Sequence, residues 1–185
     1  MARTRKISAD DILDAAERVI LRLGAVGVSI DAVAQEAGVS KSRVVYDHKS
    51  KAALLEALIE RRLFSEQQHI RTCVETSKDQ AHPELFARIT VAEEEPDDTD
   101  KAVCLALSAA MSGEKKLHEK MQDWTRRELE DISGCEKPRA ALVAYLALTG
   151  FSCTEYFNFY QWDAEARLAI LEDIRAIYLN SPKET

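Results

Sequence analysis

Apolar residues recur three or four positions apart along most of this chain, the spacing that lines one face of an α-helix. Ile12, Ala15, Ala16, Val19, Ile20 and Leu23 form the first such stripe. Ser8 with Asp11 has the form of a capping box ahead of it, and Gly24 and Gly27 supply the stop. Ile30, Val33, Ala34 and Ala37 form a shorter stripe behind a capping Ser29. Gly38 ends it, because the residue just past a helix commonly turns left-handed, a conformation that costs any residue with a Cβ. Val39 returns the chain inward, and Ser40 caps another short helix opening on Lys41, Ser42 and Arg43, with Val44 or Val45 packing behind and Tyr46 closing it. Ser50 then caps a long helix through Leu54, Leu55, Leu58, Ile59 and Leu63.

Downstream, the same period with Pro83, Pro96 and Pro138 at the breaks predicts helices over about 51–78, 84–93, 100–112, 115–132, 137–160 and 164–179. No strand-like alternation competes with them. The expected fold class is all-α: a three-helix head over residues 1–50 and a larger helical domain over 51–185.

Two short helices joined at Gly38, with cations and hydroxyls opening the second, follow helix-turn-helix logic. Unpaired backbone N–H groups and the positive end of the helix dipole suit phosphate. Arg43 has the fork that pairs with guanine O6 and N7, while Lys41 and Ser42 reach either a base or the backbone. Lys51, in the first turn of the long helix, is placed to grip phosphate.

Charge sharpens this picture. The chain carries a net charge of −7, yet residues 1–55 are net +2 and residues 56–185 net −9. An acidic protein can bind DNA through a local basic surface, and Arg3, Arg5 and Lys6 ahead of the first helix can form an arm that follows the duplex. The four cysteines, Cys73, Cys104, Cys135 and Cys153, lack a CxxC pair and suit free thiols in a reducing compartment. With no apolar run of membrane-spanning length and no export signal, a cytoplasmic location is expected.

The run ILDAAERVILRLGAVGVSIDAVAQEAGVSKSRVVYDHKSKAALLEALI resembles the N-terminal domain of the TetR family of transcriptional repressors. The resemblance implies a three-helix DNA-binding head, a long linking helix, and a helical C-terminal domain that dimerises and binds a small-molecule inducer. Ser29, Ser40, Lys41, Ser42, Arg43, Tyr46 and Lys51 stand where family members commonly touch DNA. The chain departs from the pattern where the family often has an aromatic pair followed by His-Phe: here the residues are Val45, Tyr46, Asp47 and His48. Asp47 would be repelled by phosphate, and His48 is expected to fill the turn that an aromatic ring normally packs.

An inducer site in the C-terminal domain is implied by the resemblance. Cys104, Leu107, Met111, Met121, Trp124, Phe151 and Tyr156 are the candidates to line it, an apolar set with few polar anchors that suits a largely hydrophobic ligand. From Ala140 to Phe159 the chain is apolar almost all round, and Ala140, Ala144 and Ala147 would permit close backbone approach. Leu142 and Leu146, with Leu171, Ile174 and Tyr178 from the last helix, are therefore the expected seam of a homodimer, the arrangement that reads a palindromic double-stranded operator. His69 and Cys73 make at most half a metal site, and the acidic stretch Glu93 to Asp100 lacks calcium-loop spacing and reads as a solvated loop. No catalytic motif, metal site or cofactor is indicated. The alternative is a helical enzyme or small-molecule-binding protein that only resembles the regulator.

Overall fold

The computed structural model describes residues 7–183, and every regular element among them is helical. In order these are α1 (Ala9–Gly27), α2 (Ile30–Ala37), α3 (Lys41–Asp47), α4 (Lys51–Thr76), α5 (Pro83–Val91), α6 (Asp98–Met111), α7 (Lys115–Ser133), α8 (Pro138–Tyr156) and α9 (Ala164–Leu179). The all-α expectation holds. Among the described residues, packing gathers 7–62 and 97–118 into one compact unit, and 63–96 and 119–183 into another.

In the first unit α1 packs against α2 and α6, and α2 against α3. The predicted stripe of α1 is buried except at its end: Ile12, Ala15, Ala16, Val19 and Ile20 are covered completely, together with Val33 and Val44 of the two short helices and Leu54 and Leu58 of α4, whereas Leu23, next to the break at Gly24, is half exposed. Ser8 makes its capping box with Asp11. Gly24 breaks the helical path at φ 66°, ψ −176°. This conformation is essentially restricted to glycine. Ion pairs brace the exterior: Arg18 and Arg22 of α1 share Glu36 of α2 at 2.9 and 3.0 Å, and Arg61 of α4 reaches Asp14 and Glu17 of α1 at 2.7 and 2.9 Å. Asp97 caps α6 in a second capping box with Asp100. The acidic stretch expected to be a loop thus turns helical at Asp98, where carboxylates complement the helix dipole.

The second unit is built on α5, α8 and α9, whose core includes Leu85, Phe86, Ile89, Ala141, Ala144, Leu148, Phe151, Leu171, Ile174 and Tyr178. His82 caps α5: its Nδ1 accepts from the Leu85 N–H at 3.3 Å and its Nε2 lies 2.9 Å from the Ile132 carbonyl. Because Nδ1 accepts, the ring is the neutral tautomer whose Nε2–H donates to Ile132. α8 stops at Tyr156 rather than near residue 160, where Asn158 takes a left-handed φ of 52°. The turn that follows leaves Phe159 and Tyr160 exposed, while Trp162 folds back to donate to Thr154 at 2.8 Å. At the other end of this helical pair, Lys137 Nζ donates to the Tyr178 and Leu179 carbonyls, both at 3.0 Å.

Candidate nucleic-acid interface

The two short helices meet as a helix, a tight turn and a helix. Ser29 Oγ accepts from the Ala32 N–H at 3.1 Å to start α2. Gly38 ends it in the left-handed region at φ 66°, ψ 32°, and its N–H returns to the Ala34 and Gln35 carbonyls. Ser40 then caps α3 by accepting from the Arg43 N–H at 3.3 Å. Within α3, Val44 is the residue that packs inward; Val45 is exposed, and Tyr46, expected to close the helix, points outward with 79% of its surface accessible. The seven-residue helix therefore shows a short polar and aromatic face.

That face holds most of the candidate DNA-contacting residues. Ser40 and Ser42 hydroxyls are hydrogen-bonded to one another at 2.9 Å. A capping hydroxyl accepts with a lone pair and keeps its proton, so Ser29 retains a donor for a phosphate oxygen. Lys41 pairs with Asp31 at 2.8 Å, both side chains well exposed, a contact that solvent and salt weaken readily. Lys51 opens α4 at an exposed position, with Ser50 Oγ accepting from the Ala53 N–H at 3.1 Å. Arg5, with the rest of the basic arm, lies outside the described residues.

Arg43 is not free. One of its terminal nitrogens sits 3.0 Å from the Asp47 carboxylate and donates to the Ile7 carbonyl at 3.1 Å, and its guanidinium carbon is 5.9 Å from the centre of the Tyr46 ring. Asp47 therefore has a cation in reach, and its side chain is only 13% exposed. The i, i+4 spacing was the signal for this pair in the sequence. His48 is buried behind α3, and burial lowers its imidazole pKa more than neighbouring Asp47 raises it. It fills the turn, as its position beside an aromatic-rich family pattern implied.

Residues 12–58 match the profile of the bacterial regulatory proteins of the tetR family, and residues 84–178 match the tetracyclin repressor-like C-terminal domain. The chain belongs to the TetR family. It is a DNA-binding transcriptional regulator rather than an enzyme, which removes the alternative of a helical enzyme. Among solved structures it resembles a TetR-family member from Streptomyces coelicolor A3, at 20% identity over 89% of this chain and 96% of that one, with a TM-score of 0.70. The transcriptional regulator FadR from Bacillus subtilis, in complex with stearoyl-CoA, is similar at 20% identity over 90% and 97%, TM-score 0.67. The multidrug binding protein EbrR, complexed with malachite green, is similar at 18% identity over 89% and 96%, TM-score 0.68. No curated protein matches the chain by sequence.

The remaining candidate residues of this TetR-family regulator fall unevenly. Cys104, Leu107 and Met111 belong to the first compact unit and Met121, Trp124, Phe151 and Tyr156 to the second. Cys104, Leu107, Met111, Met121 and Trp124 are partly buried and Tyr156 is exposed, whereas Phe151 is a core residue packed on Trp162. Of the expected dimer seam, Leu142 and Leu146 are exposed. Leu171, Ile174 and Tyr178 are not: they fill the core of their own unit, and Ala140 and Ala144 likewise face inward. No group of three or more His, Cys, Asp or Glu residues able to hold a metal occurs among the described residues, and no helix there is long and apolar enough to cross a membrane.

Proposed function

We propose that this TetR-family protein is a homodimeric repressor that binds a palindromic operator through α3 and is released from it by a largely apolar small molecule. The observation that carries the reading is α3 itself, a helix held by Gly38 and Ser40 whose buried side is Val44 and whose open side carries Ser42, Tyr46 and the nearby cations. Arg43 is the candidate base reader; Ser29, Ser40, Lys41, Tyr46 and Lys51, with Arg5 of the arm, are the candidate backbone contacts.

The dimer is supported by an apolar outer face on the last two helices. Leu142, Val143 and Leu146 of α8 and Leu168 of α9 all stand open to solvent in the single chain. A two-fold pair of such faces buries them and sets two reading helices on successive half-sites. The inducer is supported by the ligands of similar structures, a fatty acyl thioester in one and an aromatic dye in another. Met121, Trp124 and Tyr156 of the second unit are its candidate contacts. Whatever its identity, it releases DNA only by binding the non-reading conformation better than the reading one.

Selection from a pool of duplexes with a randomised core tests the first part. The expected product is a two-fold symmetric sequence, and Arg43→Ala should cost about 1–3 kcal/mol and relax the preference at one base pair of each half-site. Titrating acyl and aromatic compounds against the bound operator, followed by fluorescence anisotropy, tests the second. A compound that binds the protein tightly without changing DNA affinity is excluded as the inducer.

A further inference from the structure

Arg43 occupies the first turn of α3, yet its side chain runs back along the helix to Asp47 and sideways to the Ile7 carbonyl, and is only 32% exposed. Asp47 is the last residue of α3, where the helix already presents uncompensated carbonyls and a carboxylate is poorly placed. Arg43 is the cation that offsets it. The contact is ionic rather than an aligned hydrogen bond: the Asp47 Oδ2 atom is buried and has no hydrogen-bond partner of good geometry, although Arg43 lies 3.0 Å away. If the guanidinium leaves, that carboxylate remains behind, unpaired and little exposed.

We propose that Asp47 is a positioning residue for DNA recognition: its carboxylate holds Arg43 folded along α3, so that the arginine turns to DNA only where the duplex binds the guanidinium more strongly than Asp47 does. The proposal rests on the reading of α3 as the recognition helix. A bidentate pair with a guanine edge meets that condition. A single phosphate oxygen, met equally on any sequence, does so far less well. Asp47 thus imposes on the operator complex the full cost of releasing Arg43, whereas arbitrary DNA, which leaves the pair closed, bears less of it; the carboxylate tempers operator affinity and keeps Arg43 off the phosphates of other sequences. Repulsion between Asp47 and the backbone, the effect visible from the sequence, adds to both states alike and does not by itself discriminate.

The test is a double-mutant cycle in the full chain, with Asp47→Asn and Arg43→Ala alone and together. Affinity is measured for a short duplex carrying the selected sequence and for random-sequence duplex of equal length, over a range of salt concentrations. Asp47→Asn should raise operator affinity about fivefold or more, raise affinity for random duplex less, and steepen the salt dependence on random duplex by about one released counterion. In the Arg43→Ala background the same substitution should give only the smaller gain of removing a negative charge. Additive effects, within about twofold, would overturn the proposal. So would an unchanged ratio of operator to random affinity. A second measurement needs no DNA: the Arg43 Nε–H resonance should report a restrained side chain in the wild type and an averaged one in Asp47→Asn, and equal mobility in both would also overturn it. If Arg43→Ala, Ser42→Ala and Tyr46→Ala all leave DNA binding unchanged, the assignment of α3 fails first and the proposal with it.

Discussion

Arg167 and Glu155 are joined by two side-chain hydrogen bonds in the interior of the second unit, Nε to Oε1 at 2.5 Å and Nη2 to Oε2 at 3.1 Å, with both residues under one-tenth exposed. The same guanidinium donates to the Ala92 and Glu93 carbonyls at 2.9 and 3.0 Å, so one side chain of α9 ties α8 to the end of α5. Removing one partner of such a pair strands a charge. Glu155→Ala should therefore lower unfolding free energy by about 3–5 kcal/mol, whereas the paired apolar replacement Glu155→Leu with Arg167→Met should lose less than the single change. Urea unfolding of the three proteins checks the order.

His48 gives the head a dependence on pH whose sign follows from its burial. Its folded-state pKa lies below the ordinary value of 6.5. The unfolded chain therefore takes up a proton that the folded one refuses as pH falls through 6.5, and stability present above that value is lost progressively toward the depressed folded pKa. Thermal melts between about pH 5 and pH 8 should show the loss, and His48→Phe, which cannot titrate, should flatten it.

Gly24 and Gly38 share a φ of 66° but differ in ψ, and substitution should separate them. A Cβ at either meets no atom within 4 Å, so the cost is conformational. Gly38 lies in the left-handed region that asparagine tolerates: Gly38→Ala should cost about 1–2 kcal/mol and Gly38→Asn less. Gly24 lies where only glycine is at ease, so Gly24→Ala and Gly24→Asn should both cost about 1–3 kcal/mol. Chemical denaturation of the four variants distinguishes the two sites.

Substitutions on the last two helices should divide by the side they face. Leu146 is 56% exposed, so Leu146→Glu should leave the chain folded but monomeric and weaken operator binding. Ile174 is 4% exposed, and Ile174→Asp should unfold the second unit because it buries an unpaired charge. Sedimentation velocity with circular dichroism reads both outcomes; a dimeric Leu146→Glu protein would move the interface elsewhere.

Lys51 and Tyr46 should differ in how their loss is felt. Lys51→Ala is expected to weaken all duplexes alike and reduce the salt slope by about one, the mark of a phosphate contact. Tyr46→Ala removes an uncharged group and should weaken binding with little change of slope. Titrations at several salt concentrations separate the two.

The head was largely legible in the sequence because its signals are local. A serine before a helix, a glycine after it and a carboxylate three residues past a cap act within one turn, and Ser8 with Asp11, Ser29, Gly38 and Ser40 all do so. The second unit was less legible for the same reason. His82 caps α5 only because Ile132, 50 residues away, receives its other nitrogen, and Arg167 depends on residues 92, 93 and 155. On α8, apolar nearly all round, periodicity finds a helix but not its inner side. Ala141, Ala144 and Leu148 face inward, and Leu142, Val143 and Leu146 face out. On α9, Leu171, Ile174 and Tyr178 were legible as one stripe; a stripe does not say whether its cover is the same chain or another. Asp47 is the parallel case in the head, where charge alone predicted repulsion and the pairing with Arg43 changed what that charge acts upon.

The fastening of Lys137 to the Tyr178 and Leu179 carbonyls bears on where this polypeptide can be cut. It clasps the α8–α9 pair at the end away from the connecting turn, so the pair resists peeling open from there, and the peptide bonds at the exposed Phe159 and Tyr160 become the points of least protection. A brief chymotrypsin digest should nick the chain at that turn first. The two fragments should stay together, because Arg167, Glu155 and the apolar layer between the helices lie wholly to either side of the cut. Covalent continuity at residues 159–160 is then dispensable to the folded protein, and the gene could be divided there into two separately translated halves.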